Sequence, residues 1–426
     1  MSPEATIKRQ FGHRARLSLS PAAVLRADGQ AHAARTMWNL LHAWWQMMPK
    51  EKRTLAHADA AIRQARQDID FLAVLPAQAA QAVLKTYFAA WKSCWEGRAD
   101  APKFKGRLRA VMSVDIPQGR DLNITRVHRR WGMVNIPMVG RVRFRWTRDL
   151  PVAKHANREN RITGARLTKD ALGWHIAFRV QTLETAPEPH QGPEVGIDVG
   201  ITVPIALSDG ETYEHGAWLT GKEQAQLLHL EQRAAQRRQS RKPGEPISRR
   251  LHRTYDRIAG LRAKAKRRAL DWQHRTTTSI ARTYGTVVVE ALTITNMVKS
   301  AGGTVDEPGK NVAQKSGLNR SISGEAWGRT VTMLTYKTAQ LGGTLHKVPA
   351  PGTSRRCSAC GVTTPGNRES QAVFVCKNPD CGWSGNADHN AACNVLHLYR
   401  MGLALIPAAG RAVVRRAKRV KPATAR

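Results

Sequence analysis

The sequence predicts a multidomain α+β protein: a β domain split by inserted helices, followed by a second half that mixes short strands with long helices. Three observations carry this. Strand-type alternation at residues 7–20 resumes only after residue 107, with a helical stretch between. Prolines at 187, 189 and 193 then mark a linker, after which short apolar strands bear acids. Five of the six cysteines crowd between Cys357 and Cys393. A length of 426 residues accommodates two to four domains.

The first strand ends at Ser20-Pro21. Beyond it, Trp38, Leu41, Trp45 and Met48 recur at helical spacing, as do Val83, Tyr87, Trp91 and Cys94. This tryptophan stripe reads as helix–helix core rather than as a base-stacking face. Alternation returns at 134–137, 141–146, 161–167 and 174–180, separated by Gly140, Pro151 and a turn at 170–173. A small barrel or curved sheet fits, completed by the opening strand. In the second half, VGIDVG and TVVVE read as buried strands. A long basic helical region covers about 222–282, broken by a loop at 243–246. Residues 301–325, rich in Gly, Ser, Asn and Lys, read as a mobile loop. A helix near 327–341 and a strand near 344–348 follow, and the segment 411–426 holds seven basic residues and no acidic one.

The charge narrows the function. With 68 Lys and Arg against 32 Asp and Glu, the chain carries a formal +36. Self-repulsion at this level opposes compaction unless a polyanion neutralises it, so the expected partner is nucleic acid. The stretch 257–268 alternates apolar and cationic residues with no acid, which suits a phosphate-contacting helix better than a merely solvated face. No apolar run approaches the length of a membrane span, and MSPEATIKRQ lacks a secretory apolar region. The expectation is a cytoplasmic protein without a membrane partner, whose clustered cysteines are metal ligands rather than disulfides.

Two constellations carry chemistry. Cys357-x2-Cys360 and Cys376-x4-Cys381, fifteen residues apart, supply four thiolates for a closed, structural Zn²⁺ site. The four-residue gap is wider than the usual two. Cys393, within a helical pattern, reads as a small buried residue rather than a fifth ligand. The second constellation is acidic. Asp198 lies in one apolar strand, Glu290 ends another, and Asp388 opens a helix, where an N-cap role is the plain alternative. A carboxylate on such a scaffold is costly to bury unless it is paired or holds a cation. Three of them in a strongly basic chain point to a divalent-metal site acting on phosphodiesters, with Mg²⁺ as the metal.

The segments GIDVGITVPIALSDG, VVVEALTITNM, TSRRCSACG and ADHNAACNVL resemble the split RuvC motifs and zinc ribbon of TnpB-type transposon nucleases and compact type V CRISPR effectors. ARTMWNLL, AWKSCWEGRADAPKFKGR, MVNIPMVGRVRFR and GWHIAFRV resemble the recognition and wedge segments, in the same order. The resemblance implies a wedge-like β-barrel formed by 1–20 and 107–186, with a helical recognition lobe at 21–106 inserted into it. It then implies an RNase H-like (RuvC) α/β nuclease domain at 187–354 and 386–410, a zinc ribbon at 355–385, and a basic tail at 411–426. By the same resemblance Asp198, Glu290 and Asp388 fall on the catalytic triad, and Cys357, Cys360, Cys376 and Cys381 on the target-nucleic-acid-binding ribbon.

The function so implied is an RNA-guided DNA endonuclease. It would bind a structured guide RNA, recognise a short motif beside the target in double-stranded DNA, and cut at one two-metal site with Mg²⁺, or Mn²⁺ in its place. Two other functions are compatible with the motifs: guided DNA binding that represses without cutting, and an RNase H-fold transposase working without RNA. Ala387 and His389 flank Asp388 where many relatives carry an Arg-Asp pair. Oligomeric state is left open.

Overall fold

The computed structural model describes residues 6–106, 111–152, 156–242, 244–303 and 307–405. The basic segment 411–426 lies outside them. The described chain forms two compact units that divide between Thr185 and Ala186.

The first unit opens with β1 (Thr6–Ser18) and continues into α1 (Pro21–Met47). Ser20 caps α1 by accepting from the amide of Ala23, and Pro21 starts the helix where no backbone donor is needed. Then come α2 (Leu55–Asp68), α3 (Asp70–Ala73) and α4 (Ala77–Trp95). The tryptophan stripe is core, as its period requires. Trp38 meets Tyr87 edge-on at 5.1 Å and Trp45 stacks on Trp91 at 4.9 Å, joining α1 to α4. The Tyr87 hydroxyl and His42 Nδ1 lie 3.1 Å apart inside this contact.

The chain returns to strands with β2 (Ser113–Ile116), β3 (Thr125–His128), β4 (Trp131–Ile136), β5 (Gly140–Arg145), β6 (Arg161–Asp170) and β7 (Gly173–Thr185). They build one seven-stranded sheet with β1 at its centre, in the order β2-β6-β7-β1-β5-β4-β3. From Thr6 to Arg16, β1 pairs with β7; at Leu17 and Ser18 it passes to β5. The expected barrel is corrected here to an open half-barrel, since β2 and β3 do not pair with each other. The physical reason is the helical insertion. Both α1 and α4 pack against β2, and their apolar residues share one core with Ile116, Leu167, Ile176 and Phe178, burying what closure would otherwise bury.

The second unit has a five-stranded sheet: β8 (Glu194–Asp198), β9 (Ile205–Leu207), β10 (Thr212–Tyr213), β11 (Thr286–Glu290) and β12 (Thr344–Val348). Its order is β10-β9-β8-β11-β12; the first three strands form an antiparallel meander, and β11 lies parallel to both β8 and β12. Side chains alternate between the faces. Ile197, Val287 and Val289 pack with Ile280 and Leu334, while Val288 and Val348 pack with Val395 and Leu396.

The helices follow from those two faces. One face is covered by α6 (Arg249–Thr283), which forms a hairpin with α5 (Gly221–Gln239), and by α9 (Trp327–Gln340). The other is covered by α10 (Ala387–Arg400). Between β11 and α9 lie α7 (Ile294–Met297) and α8 (Val312–Glu325). Of the loop expected over 301–325, the part from Val312 to Glu325 is thus helix. Its weak pattern, with Ile322 the buried residue of α8, concealed a tertiary cause. Lys315 Nζ donates to Met297 O at 2.7 Å and Asn319 Nδ2 to Val298 O at 3.0 Å, satisfying carbonyls that α7 leaves open at its end.

Among the described residues, no helix is long and apolar enough to cross a membrane.

Candidate active site and cysteine cluster

Asp198 and Glu290 are the last residues of two neighbouring parallel strands. Val289 pairs with Ile197, so the two acids, each one residue further on, stand side by side in register at the same end of the sheet. Asp388 arrives on α10, which crosses β8 at very short range. A Cβ added to Gly196 would lie 2.2 Å from Ala392 O and 2.9 Å from Leu396 Cβ. The glycine in GIDVG is therefore a packing requirement, and it lets α10 lay its first turn beside Asp198. Asp388 is not the helix cap. That role belongs to Asn386, whose Oδ1 accepts from the amides of Asp388 and His389 at 2.8 and 3.0 Å, leaving the Asp388 carboxylate free for other work.

Asp198 senses the other two acids. Burial, and after it the charges on Glu290 and Asp388, push the Asp198 carboxyl up to about 7. Burial also raises Glu290, countered by a hydrogen bond donated by the Thr353 hydroxyl. Asp388 is buried and is bonded by Arg368, whose Nη2 donates to Oδ1 at 3.0 Å. This clustering of acids is costly without a counter-charge, and Arg368 supplies one unit of it. His389 faces away, with Nδ1 3.3 Å from Leu207 O and Nε2 3.5 Å from Cys393 Sγ.

Between β12 and α10 the chain forms a small ribbon built on the hairpin β13 (Val373–Val375) and β14 (Ser384–Asn386). Cys357, Cys360, Cys376 and Cys381 converge there, each offering a sulfur within 4.8 Å of the others. The Cys357–Cys381 and Cys360–Cys376 sulfurs are 3.8 and 3.6 Å apart. A tetrahedral Zn²⁺ with bonds of ~2.3 Å has ligand edges of ~3.8 Å, so the donor set fits zinc in type and spacing. The wide second gap is absorbed by a turn, in which the Cys381 amide donates to Asn378 O at 3.0 Å and Gly382 takes a φ of 58°. Cys393 stands outside the cluster, its thiol donating to Ser208 O at 3.4 Å.

Three residues here escaped the sequence reading: Arg368, Thr353 and Gly196. Arg368 and Thr353 are ordinary polar residues in the ribbon region, and only the fold brings them to the acids. Gly196 carried a signal, a glycine inside an otherwise apolar strand, which marks close backbone approach.

Comparison with known proteins bears on this arrangement. Residues 175–301 match a family model described as a probable transposase, and residues 327–395 match one described as a Cas12f1-like TNB domain. A protein of Escherichia coli (strain K12), named as a putative RNA-guided DNA endonuclease InsQ, is 30% identical over 321 residues, 75% of this chain and 74% of its own. The chain belongs to the TnpB-type RNA-guided nuclease family. A second relative, a putative RNA-guided DNA endonuclease of Streptomyces pristinaespiralis, is 26% identical over 92% of this TnpB-type chain and 89% of its own. Among solved structures, a Cas12f1–sgRNA–target DNA complex aligns with 92% of this TnpB-type chain and 98% of its own, at 14% identity and a TM-score of 0.48.

Proposed function

We propose that this chain is an RNA-guided DNA endonuclease that hydrolyses phosphodiester bonds at one RNase H-like, RuvC-type site. The observation that carries the reading is the convergence of Asp198, Glu290 and Asp388 from the ends of β8 and β11 and the first turn of α10. The names of the two curated relatives, both RNA-guided DNA endonucleases, support it. The order of the five-stranded sheet, a meander continued by two parallel strands, suits an RNase H-like core.

In this reading the three carboxylates would hold two Mg²⁺ ions, or Mn²⁺ in their place, and the chemistry so supplied would be activation of a water and stabilisation of the leaving oxygen. The chain supplies the rest. Thr353 orients Glu290 by hydrogen bonding to its carboxylate. Gly196 sets the distance between Asp198 and Asp388. Arg368 balances charge on Asp388 and is placed by the ribbon, which Gln371 fastens to Thr202 through a 2.7 Å hydrogen bond. The half-barrel, 1–20 with 107–186, serves as the wedge and helices 21–106 as the recognition lobe. The nuclease core is 187–354 with 386–410, and 355–385 is a structural zinc ribbon. The partners are a guide RNA and a target duplex.

The test is direct. Protein purified with its own RNA, supplied with Mg²⁺, should nick or cut a plasmid matching that RNA. Asp198→Asn should abolish cutting while duplex binding persists. Undiminished cleavage by that variant would remove the site assignment, and the absence of any discrete co-purifying RNA would remove the guide.

A further inference from the structure

Asp198 is the last residue of β8, and its carboxylate accepts a hydrogen bond from the amide of Val199, which opens the turn into β9. The direction of that amide depends on how the turn is held. The turn is tight: the Gly200 amide donates to Pro204 O at 3.4 Å, and a Cβ on Gly200 would lie 2.5 Å from Val203 O. Packing alone does not fix its position. Val199 borders a cavity of about 150 Å³, lined also by Leu292, Ile294 and Val331. A void leaves its lining without partner atoms on one side, so the strand end can shift towards it at little cost.

Trp327, which lines the same cavity, supplies a fixed attachment. Its Nε1–H donates to Gly200 O at 3.2 Å, and the residue is only 7% exposed. The indole is in turn held from behind. Ala326 joins α8 to α9 in the left-handed region, at a φ of 51°, which a residue with a Cβ keeps only where its surroundings over-determine it. Two contacts do so. The buried Gln273 of α6 donates from Nε2 to Glu325 O at 2.9 Å and to the Thr330 hydroxyl at 3.1 Å. The Glu325 carboxylate lies 2.9 Å from His215 Nε2, and the His215 ring rests against Trp218 at 3.7 Å between centroids. Trp327 is therefore placed by α6 and by the loop after β10, not by the three acids.

We propose that Trp327 is a positioning residue for the carboxylate site: by holding Gly200 O, its indole N–H fixes the turn after β8 and so aims the Val199 amide at the Asp198 carboxylate. This rests on the reading of the three carboxylates as a metal site, and adds to it a side chain that touches neither metal nor substrate.

The experiment uses the full-length protein with its own RNA and compares the unaltered chain, W327F and W38F. Trp38 is the matched control: it is also 7% exposed and donates from Nε1 to a backbone carbonyl, Lys103 O, at 3.0 Å in the other unit. Melting temperature against Mn²⁺ concentration reads metal affinity without cleavage, with the D198N protein giving the background from the RNA. Cutting of a matching plasmid is followed against Mg²⁺ concentration. A group bonded directly to a metal ligand commonly carries about 10–100-fold in metal affinity. Trp327 acts through the turn, so W327F should raise both half-saturating concentrations by about 3–10-fold. Cutting at saturating Mg²⁺ should approach the parental rate, and W38F should leave both concentrations where they are. If W327F melts far below the parent without metal, Trp327 is instead replaced by 3-benzothienylalanine, which keeps the fused rings and loses only the N–H. A metal dependence equal to the parent's in the protein lacking that N–H, or an equal shift in W38F, overturns the positioning role and leaves the site reading intact. If the unaltered protein shows no Mn²⁺ stabilisation beyond that of D198N, the site reading falls and the positioning role falls with it.

Discussion

Arg368, carried by the cysteine ribbon, reaches the first turn of α10 and bonds Asp388 at 3.0 Å. A guanidinium thus occupies the place where a cation is needed. Removing one partner of a mostly buried pair strands the other's charge, at a cost of roughly 3–5 kcal/mol when burial is complete. Both side chains here retain some solvent contact, so Arg368→Gln should cost about 1–2 kcal/mol in buffer free of Mg²⁺ but without chelator. Mg²⁺ should recover most of that loss by taking over the neutralisation. Thermal melts of both proteins with and without Mg²⁺ decide it: a gap that Mg²⁺ leaves unchanged would show that Arg368 and the metal do not share a role.

The raised Asp198 carboxyl gives a pH signature. Its folded-state pKa, about 7, stands above the ordinary carboxylate value. The folded protein therefore binds that proton more tightly than the unfolded chain does. Metal-free stability should fall as pH rises from about 4 to about 7 and level off beyond it. Asp198→Asn removes this penalty. Without divalent cations or chelator near pH 8 the variant should be more stable than the parent by about 2–3 kcal/mol, with the gap closing near pH 4. Denaturant titrations at the two pH values measure it.

The glycine under α10 sets a third expectation. The nearest atoms to a Cβ at position 196 are the backbone O of Ala392 and the backbone N of Leu396, which cannot rotate away. Gly196→Ala should destabilise the second unit by about 1–3 kcal/mol through overpacking. It should also slow cleavage, because α10 can relieve the clash only by moving Asp388 from Asp198. A variant that cuts at the parental rate would show that this spacing is not critical.

Zinc content tests the ribbon. The protein should retain one zinc per chain through extensive dialysis. Cys357→Ser or Cys376→Ser should lose it and lower the melting temperature, whereas Cys393→Ser should keep it, because that thiol lies on α10 beside Ser208. Elemental analysis of the three variants provides the measurement.

Much of this was legible in the sequence because it was periodic or local. The Trp38–Trp45 and Tyr87–Trp91 stripes specify a helix pair by spacing alone, and the structure packs them together. The two cysteine pairs announce their own geometry. The strand TVVVE needed nothing beyond its β-branched residues and flanks. What failed was set by long-range contact. Helix α8 has little pattern of its own and is held by bonds from Lys315 and Asn319 to the end of α7. Whether the first sheet closes depends on where α1 and α4 sit, which alternation does not encode. The acids could be named individually, but their meeting depends on a parallel strand pair and on Gly196. Arg368 had no sequence signal, since its partner stands 20 residues away across a folded ribbon.

The packing of α10 on β8 also has a consequence in time. Asp198 leaves the ribosome 190 residues before Asp388, an interval of about 10–40 s at ~5–20 residues per second. Until α10 emerges, the face of the sheet bearing Val288 and Val348 has no cover, and the carboxylate cluster is one member short. The half-barrel unit, whose central strand β1 is already paired by Thr185, meets no such delay. A nascent chain can therefore present a finished first unit while its second still lacks Asp388. Translation itself enforces an order in which the first unit can fold well before the carboxylate cluster is complete.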